Sequence, residues 1–275
     1  MENVVTVAQA RALFGASPRP LAFVPTMGAI HDGHIELVRR ARAASARVAA
    51  SIFVNPLQFG PGEDLEAYPR DLEHDRAKLA AAGVDVLFTP DASSMYAPGF
   101  ASFVEVGPIG AVFEGAIRPG HFRGVATVIA KLLHVVQPDV LFLGQKDAQQ
   151  TAVLRKMISE LAFPVAVDIV PTVREPDGLA MSSRNRYLDA EQRAQAPTLY
   201  LALAAMRDAL AGGARKPDAI AAANAALSDA AKAEYFDLVD AETFMPLERL
   251  RAPAFVVGAA RFGRTRLIDN LWVAE

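Results

Sequence analysis

Two histidines set close together give this sequence its clearest chemistry. His31 and His34 stand in Val24-Pro25-Thr26-Met27-Gly28-Ala29-Ile30-His31-Asp32-Gly33-His34, between an apolar run and a helical pattern. Gly28 and Gly33 permit positive φ or close backbone approach. A helix beginning beside His34 attracts anions through free N–H groups and the macrodipole. Two imidazoles at this spacing can flank one anionic group and donate to it as charge develops. The same residues also suit a capping loop with incidental histidines, or a metal pair. Metal fits least well: helical zinc histidines lie four apart with added carboxylates, and Gly33 is read as breaking the turn.

Other candidates are ambiguous singly. Met181-Ser182-Ser183-Arg184-Asn185 follows Arg174-Glu175-Pro176-Asp177-Gly178-Leu179. Its hydroxyls, amides and guanidinium suit a mobile phosphate clamp, or a hinge loop that caps the helix beyond Asp189, with Asp177-Gly178 marking a turn. In Gly144-Gln145-Lys146-Asp147-Ala148-Gln149-Gln150, Lys146 could meet a phosphate, and Asp147 could hold Mg²⁺ or cap a helix. Gln149 and Gln150 begin that helix on different faces, so one is expected to point to solvent. In Phe53-Val54-Asn55-Pro56-Leu57-Gln58-Phe59, Gln58 could orient a carboxylate or hydroxyl, or be a surface turn residue. Gly120-His121-Phe122-Arg123-Gly124 adds cationic candidates or a structural arginine, and Tyr68-Pro69-Arg70 is similarly open. His74, His134, Trp272, Phe113, Phe255 and Phe262 read as structural. There is no Gly-x-x-x-x-Gly-Lys-Ser/Thr loop and no Gly-x-Ser-x-Gly elbow, which disfavours P-loop nucleotide sites and hydrolases.

These residues need elements to hold them. Apolar runs at 21–24, 48–54, 84–88, 140–143 and 165–170 read as buried strands, the first closing at Pro25. Helical patterns at 35–46, 71–82, 125–136 and 148–161 separate them. Continuous apolar strands divided by helices imply a parallel sheet covered on both faces, with ligands beyond the strands' carboxyl ends. The Gly-, Pro- and aromatic-rich stretch 91–123 is expected to hold a hairpin at 103–106 and a flap or interface element. From Asp189 onward, Ala-rich helices at 190–211 and 217–233 precede strand-like runs at 236–239, 254–260 and 267–273. The expected architecture is a Rossmann-like doubly wound α/β domain over 1–172 and a smaller C-terminal α+β domain over 173–275, hinged at about 172–189.

Composition narrows the class. Hydrophobic residues make up 52% and charged residues 21% of 275, so disorder is excluded for the bulk of the chain. A net charge of −3 disfavours a nucleic-acid partner. The absence of cysteine removes disulfides, thiolate metal sites and cysteine nucleophiles. No apolar run reaches the roughly 18 residues of a membrane span, and Met1-Glu2-Asn3 does not read as a secretory signal. A cytoplasmic protein with no membrane partner is expected.

Six segments taken in order resemble the pantoate–β-alanine ligase (pantothenate synthetase) family of the nucleotidylyl-transferase superfamily. They are Pro25-Thr26-Met27-Gly28 through His31-x-Gly33-His34; Phe53 to Phe59; Tyr68-Pro69-Arg70; Gly120-His121-Phe122-Arg123-Gly124-Val125; Lys146-Asp147-x-Gln149-Gln150; and Asp177-Gly178-Leu179-Ala180-Met181-Ser182-Ser183-Arg184-Asn185. They span most of residues 21–190; the C-terminal third matches only in length and pattern. The resemblance implies a homodimer that joins pantoate to β-alanine using ATP and Mg²⁺, through a pantoyl adenylate. It places Met27, Gly28, Ala29, Ile30, His31, Asp32, Gly33 and His34 in the ATP site, with His34 as proton donor. Gly144, Gln145, Lys146, Asp147, Val173, Met181, Ser182, Ser183 and Arg184 would complete that site. Gln58 and Gln150 would hold pantoate, and Gln58 would also touch β-alanine. His31, Lys146 and Arg184 would join His34 in offsetting charge, with Asp147 the candidate metal ligand and Mg²⁺ held mainly by ATP phosphates. Many members carry Glu where Gln145 stands, so this side chain keeps the shape but not the charge.

Overall fold

The computed structural model describes residues 1–60, 62, 63 and 65–273. The chain forms two compact units: Met1–Gln145 with Gln149–Val170, and Lys146–Ala148 with the chain from Pro171 onward.

In the first unit, strands β1 (Glu2–Val4), β2 (Leu21–Thr26), β3 (Arg47–Ile52), β4 (Val86–Phe88), β5 (Val140–Gly144) and β6 (Ala166–Val170) form one sheet. Their order is β1-β4-β3-β2-β5-β6, and every pair is parallel. Side chains alternate between two cores, as strand geometry requires. Leu21, Phe23, Ala49, Phe88 and Leu141 face helices α1 (Val7–Gly15), α6 (His121–Val136) and α7 (Ala148–Glu160), the short helices α4 (Ala92–Met95) and α5 (Glu114–Ile117) lying between β4 and α6 in the chain. Ala22, Val24, Val48, Leu87 and Phe142 face α2 (Asp32–Ala44) and α3 (Leu72–Ala81). This is a doubly wound Rossmann-like sheet whose order reverses between β2 and β5, the place where such folds bind ligands.

In the second unit, β7 (Ala231–Asp240), β8 (Ala254–Phe262) and β9 (Thr265–Val273) form an antiparallel sheet. Helices α9 (Thr198–Ala211) and α10 (Lys216–Ala226) cover it through Leu199, Leu203, Met206, Ala219 and Ala223.

Several boundaries differ from the sequence expectation. β2 continues past Pro25 to Thr26. The Thr26 carbonyl accepts from the Phe53 amide at 3.0 Å, so Pro25 turns its missing N–H toward β5, whose pairing with β2 covers only Ala22 and Phe23. Helix α2 starts at Asp32, so Gly33 lies in its first turn and does not break it. Residues 103–106 form no hairpin. The Val104 amide donates to Thr127 Oγ1 on α6, and Arg123 stacks on Phe103 and pairs with Glu105. The Ala-rich segment at 190–211 is two helices, α8 (Ala190–Gln195) and α9, divided at Pro197. The next helix stops at Ala226, and Ala231 already pairs with Phe262 in β7. The edge strand β1 and helix α1 carried no signal that was read in advance.

Candidate active site

The first half of the site grows from the end of β2. The Thr26 hydroxyl donates to the Ser51 carbonyl at 2.7 Å and accepts from the Gly28 amide at 3.2 Å. Gly28 and Ala29 then take positive φ values of 86° and 52°. The Ala29 and Ile30 amides donate to the two carboxylate oxygens of Asp75 on α3, each at 2.8 Å. Lys78 Nζ, one turn further along α3, donates to the Ile30 carbonyl at 2.9 Å.

His31 is the N-cap of α2. Its Nδ1 accepts from the Gly33 amide at 3.2 Å, and His34 Nδ1 accepts from the His31 amide at 3.3 Å. The two rings lie 4.1 Å apart between centroids. A ring nitrogen that accepts from a backbone N–H carries a lone pair, so the neutral ring holds its proton on Nε2. Both imidazoles thereby present Nε2–H donors. The amides of Gly28, Ala29, Ile30, His31, Gly33 and His34 all donate within the protein. Of the two kinds of anion donor expected from the sequence, these backbone N–H groups are already engaged within the protein, which leaves the imidazoles as the candidates.

Gln58 closes a short 3-10 turn, Pro56–Gln58, after β3. It is buried, not a surface turn residue. Asn55 Nδ2 donates to Gln58 Oε1 and to the Gly124 carbonyl, both at 3.1 Å, while Tyr96 donates its hydroxyl to Asn55 Oδ1 at 2.8 Å. Burial pushes the Tyr96 phenol above its ordinary value, so it remains a donor. This arrangement fixes the carboxamide, and Gln58 Nε2 meets Met27 Sδ at 2.9 Å. The structure therefore brings Gln58 against the Met27–His34 loop.

The backbone of Gln58 is held from α6. His121 Nδ1–H donates to the Gln58 carbonyl at 2.9 Å, and Arg118 Nη1 lies 3.1 Å from His121 Nε2. A guanidinium only donates and a carbonyl only accepts, so His121 is the neutral Nδ1–H tautomer. Burial first, and then the Arg118 charge, push it down from 6.5 to about 4. His121 is thus not the cation the sequence offered. Arg118 also forms an ion pair with Glu63 at 2.6 Å. Burial raises the Glu63 carboxyl, but the guanidinium overrides it and leaves it below its ordinary value.

At the start of α7 the two glutamines part company. Gln149 is buried, donating to the Ile109 and Val112 carbonyls and accepting from the Glu114 amide, so it is structural. Gln150 is half-buried, the more exposed of the two, and its side-chain carboxamide has no hydrogen-bond partner among the described residues. Gly144, which ends β5, and Gln145, which opens the 3-10 turn after it, are both half-buried and lie in the first unit.

The second unit carries the remaining candidates. Lys146 Nζ lies 3.2 Å from the Asp147 carboxylate, and the Lys146 carbonyl accepts from Asn270 at 2.9 Å. Val173 accepts from the Met181 amide at 3.0 Å, closing a small hairpin. Arg174 anchors it through a two-point ion pair to buried Asp269, at 2.6 and 3.0 Å. Ser182 caps the 3-10 turn Ser183–Tyr187 by accepting from the Arg184 amide. The Arg184 guanidinium meets no carboxylate among the described residues. No group of three or more His, Asp or Glu side chains among the described residues could cage a metal ion.

Sequence reasoning missed Asp75 and Lys78, and gave Asn55 and Tyr96 no role. Asp75 and Leu79 share the buried side of α3 at a four-residue spacing. An acidic residue on an otherwise apolar stripe was the available signal.

These features first define a class: an α/β enzyme with a Rossmann-like sheet and an imidazole pair where its strand order reverses. A family profile described as Pantoate-beta-alanine ligase matches residues 2–272. The chain is 51% identical over 273 residues to a pantothenate synthetase of Roseiflexus sp. (strain RS-1), covering 98% of each. The crystal structure of a pantothenate synthetase from Thermus thermophilus superposes with a TM-score of 0.95 at 53% identity, covering 100% of both chains. A Francisella tularensis pantoate-beta-alanine ligase, complexed with beta-gamma ATP and beta-alanine, superposes at 0.83 with 32% identity, covering 99% of this chain and 97% of that one. The chain belongs to the pantoate–β-alanine ligase family, ligases that form a carbon–nitrogen bond. No helix among the described residues is long and apolar enough to cross a membrane.

Proposed function

We propose that the protein condenses pantoate with β-alanine at the expense of ATP, giving pantothenate, AMP and pyrophosphate. Free pantoate acylates poorly because oxide would have to leave. In the first step a pantoate carboxylate oxygen attacks the α-phosphorus of ATP, the bond to the β-phosphate oxygen breaks, and pyrophosphate departs. In the second, the β-alanine amine attacks the acyl carbon, the acyl–oxygen bond breaks, and AMP leaves with that oxygen while the nitrogen loses a proton. No covalent enzyme intermediate is needed; the protein positions the reactants and stabilises charge.

The observation that carries this reading is the pair of Nε2–H imidazoles at 4.1 Å, fixed by their own backbone. Two preset donors suit the oxygens of a phosphate that gains charge as pyrophosphate leaves. Met27 to His34, Gly144 to Asp147, Val173 and Met181 to Arg184 are read as the ATP site, with His34 as proton donor and His31, Lys146 and Arg184 offsetting charge. Gln58 and Gln150 are read as holding pantoate through neutral amides, which add no charge beside its carboxylate, and Gln58 also as touching β-alanine. The 173–275 domain is read as a lid whose 181–184 loop keeps water from the adenylate. Magnesium is read as arriving with ATP, since the Asp147 carboxylate is paired with Lys146 and no three-ligand cage exists among the described residues. The family resemblance supports a cytoplasmic homodimer. The test supplies ATP with magnesium, pantoate and β-alanine, omitting each in turn. Pantothenate and AMP should form only in the complete mixture, and equal product without pantoate would refute the assignment.

A further inference from the structure

The Asp75 carboxylate is 3% exposed and receives both its hydrogen bonds from Ala29 and Ile30, on a distant segment of the chain. Burying a carboxylate is unfavourable unless its oxygens are well satisfied, so this residue needs its two amides as much as they need it. The amides belong to a backbone in the left-handed region, which Ala29 rarely adopts unaided. Lys78 holds the Ile30 carbonyl from the same helix. The loop that leads into His31 is therefore gripped on three consecutive polar groups by α3. A protein carboxylate occupies the amides that a phosphate would otherwise shape, so the loop has its form before any nucleotide binds.

We propose that Asp75 is a positioning residue for adenylate formation: with Lys78 it fixes the 28–31 backbone and hence the direction of the His31 and His34 Nε2–H groups. This rests on the ATP reading above. Asp75 touches no reactant; it acts through the loop. Preorganised geometry of this kind governs the rate of the chemical step more than the affinity for substrate.

The test is Asp75→Asn, which keeps the shape but sets an NH₂ group against one of the two amides. In pantoate-dependent pyrophosphate exchange, the maximal rate should fall by roughly 10–100-fold while the pantoate KM stays within about twofold. Nitrogen-15 spectra of His31 and His34 should lose their single Nε2–H form. Asp71→Ala, which removes the α3 cap on His74, should lower thermal stability and leave both readouts unchanged. Lys78→Met should lower the rate in the same direction and decides the matter if Asp75→Asn does not fold. A wild-type rate and wild-type imidazole spectra in Asp75→Asn, or a loss of rate matched by Asp71→Ala, would overturn the proposal. Wild-type protein without exchange activity would count against the functional reading instead, and the imidazole spectra alone would then decide the positioning role.

Discussion

A Cβ placed on Gly124 would stand 2.1 Å from the Leu57 carbonyl oxygen and 2.7 Å from the Gln58 amide nitrogen. Helix α6 therefore lies directly on the turn that presents Gln58, and only glycine permits that approach. Gly124→Ala must push helix and turn apart. We expect a loss of about 1–3 kcal/mol, the range for overpacking a tight contact. Calorimetric titration should show weaker pantoate binding with ATP affinity little changed; equal weakening of both ligands would count against the placement of Gln58.

His31 does two jobs that substitution can separate. As N-cap it accepts from Gly33 through Nδ1, which leaves the proton of the neutral ring on Nε2. Asparagine caps helices well, so His31→Asn should retain thermal stability, whereas His31→Ala should lose on the order of 1 kcal/mol. Both should slow adenylate formation by about 10²-fold, the scale for removing one preset donor. A normal single-turnover rate in His31→Asn would reduce this imidazole to a cap.

Lys146 and Gln58 should fail in different ways. Lys146→Ala should lower the rate of adenylate formation by about 10²-fold or more. Gln58→Ala should raise the pantoate dissociation constant and spare ATP. Rapid-quench kinetics on the first and calorimetry on the second read these outcomes directly. An unaltered rate in Lys146→Ala would remove that residue from the mechanism.

His121 predicts a pH signature. Unfolded, the ring titrates near its ordinary 6.5; folded, burial and Arg118 hold it to about 4. Between those values the unfolded chain binds the additional proton, so stability falls as pH drops from 6.5 toward 4 and is insensitive to this group above 6.5. Glu63 lies below its ordinary 4.5, so its contribution disappears only at lower pH. Thermal melts across this range should slope for the wild type and flatten for His121→Gln. An equal slope in both would contradict the buried neutral ring.

Much of the fold was legible because buried parallel strands are nearly uniform apolar runs: Leu21 to Val24, Val84 to Phe88 and Val140 to Leu143 announced themselves. What stayed hidden depended on tertiary partners. Phe103-Val104-Glu105-Val106 alternates like a strand, yet Thr127 and Arg123 of α6 hold it. The end at Ala226 had only the short Ser228-Asp229 turn as its signal, set between alanine-rich stretches that suit a helix on either side. The His31–His34 motif was readable in residue type and spacing. The protonated nitrogens were not, since they follow from which amides the rings accept. For Asp75 the helix spacing signalled burial, but not its partners, two amides more than forty positions away.

The central claim is that pantoate is activated by transfer to the α-phosphate. Pantoate labelled with oxygen-18 in its carboxylate tests this directly, because the attacking oxygen stays with the phosphorus when the amine displaces AMP. A complete reaction followed by mass spectrometry should place one labelled oxygen in each AMP and none in pyrophosphate. Unlabelled AMP, or label in inorganic phosphate with ADP as the co-product, would contradict it.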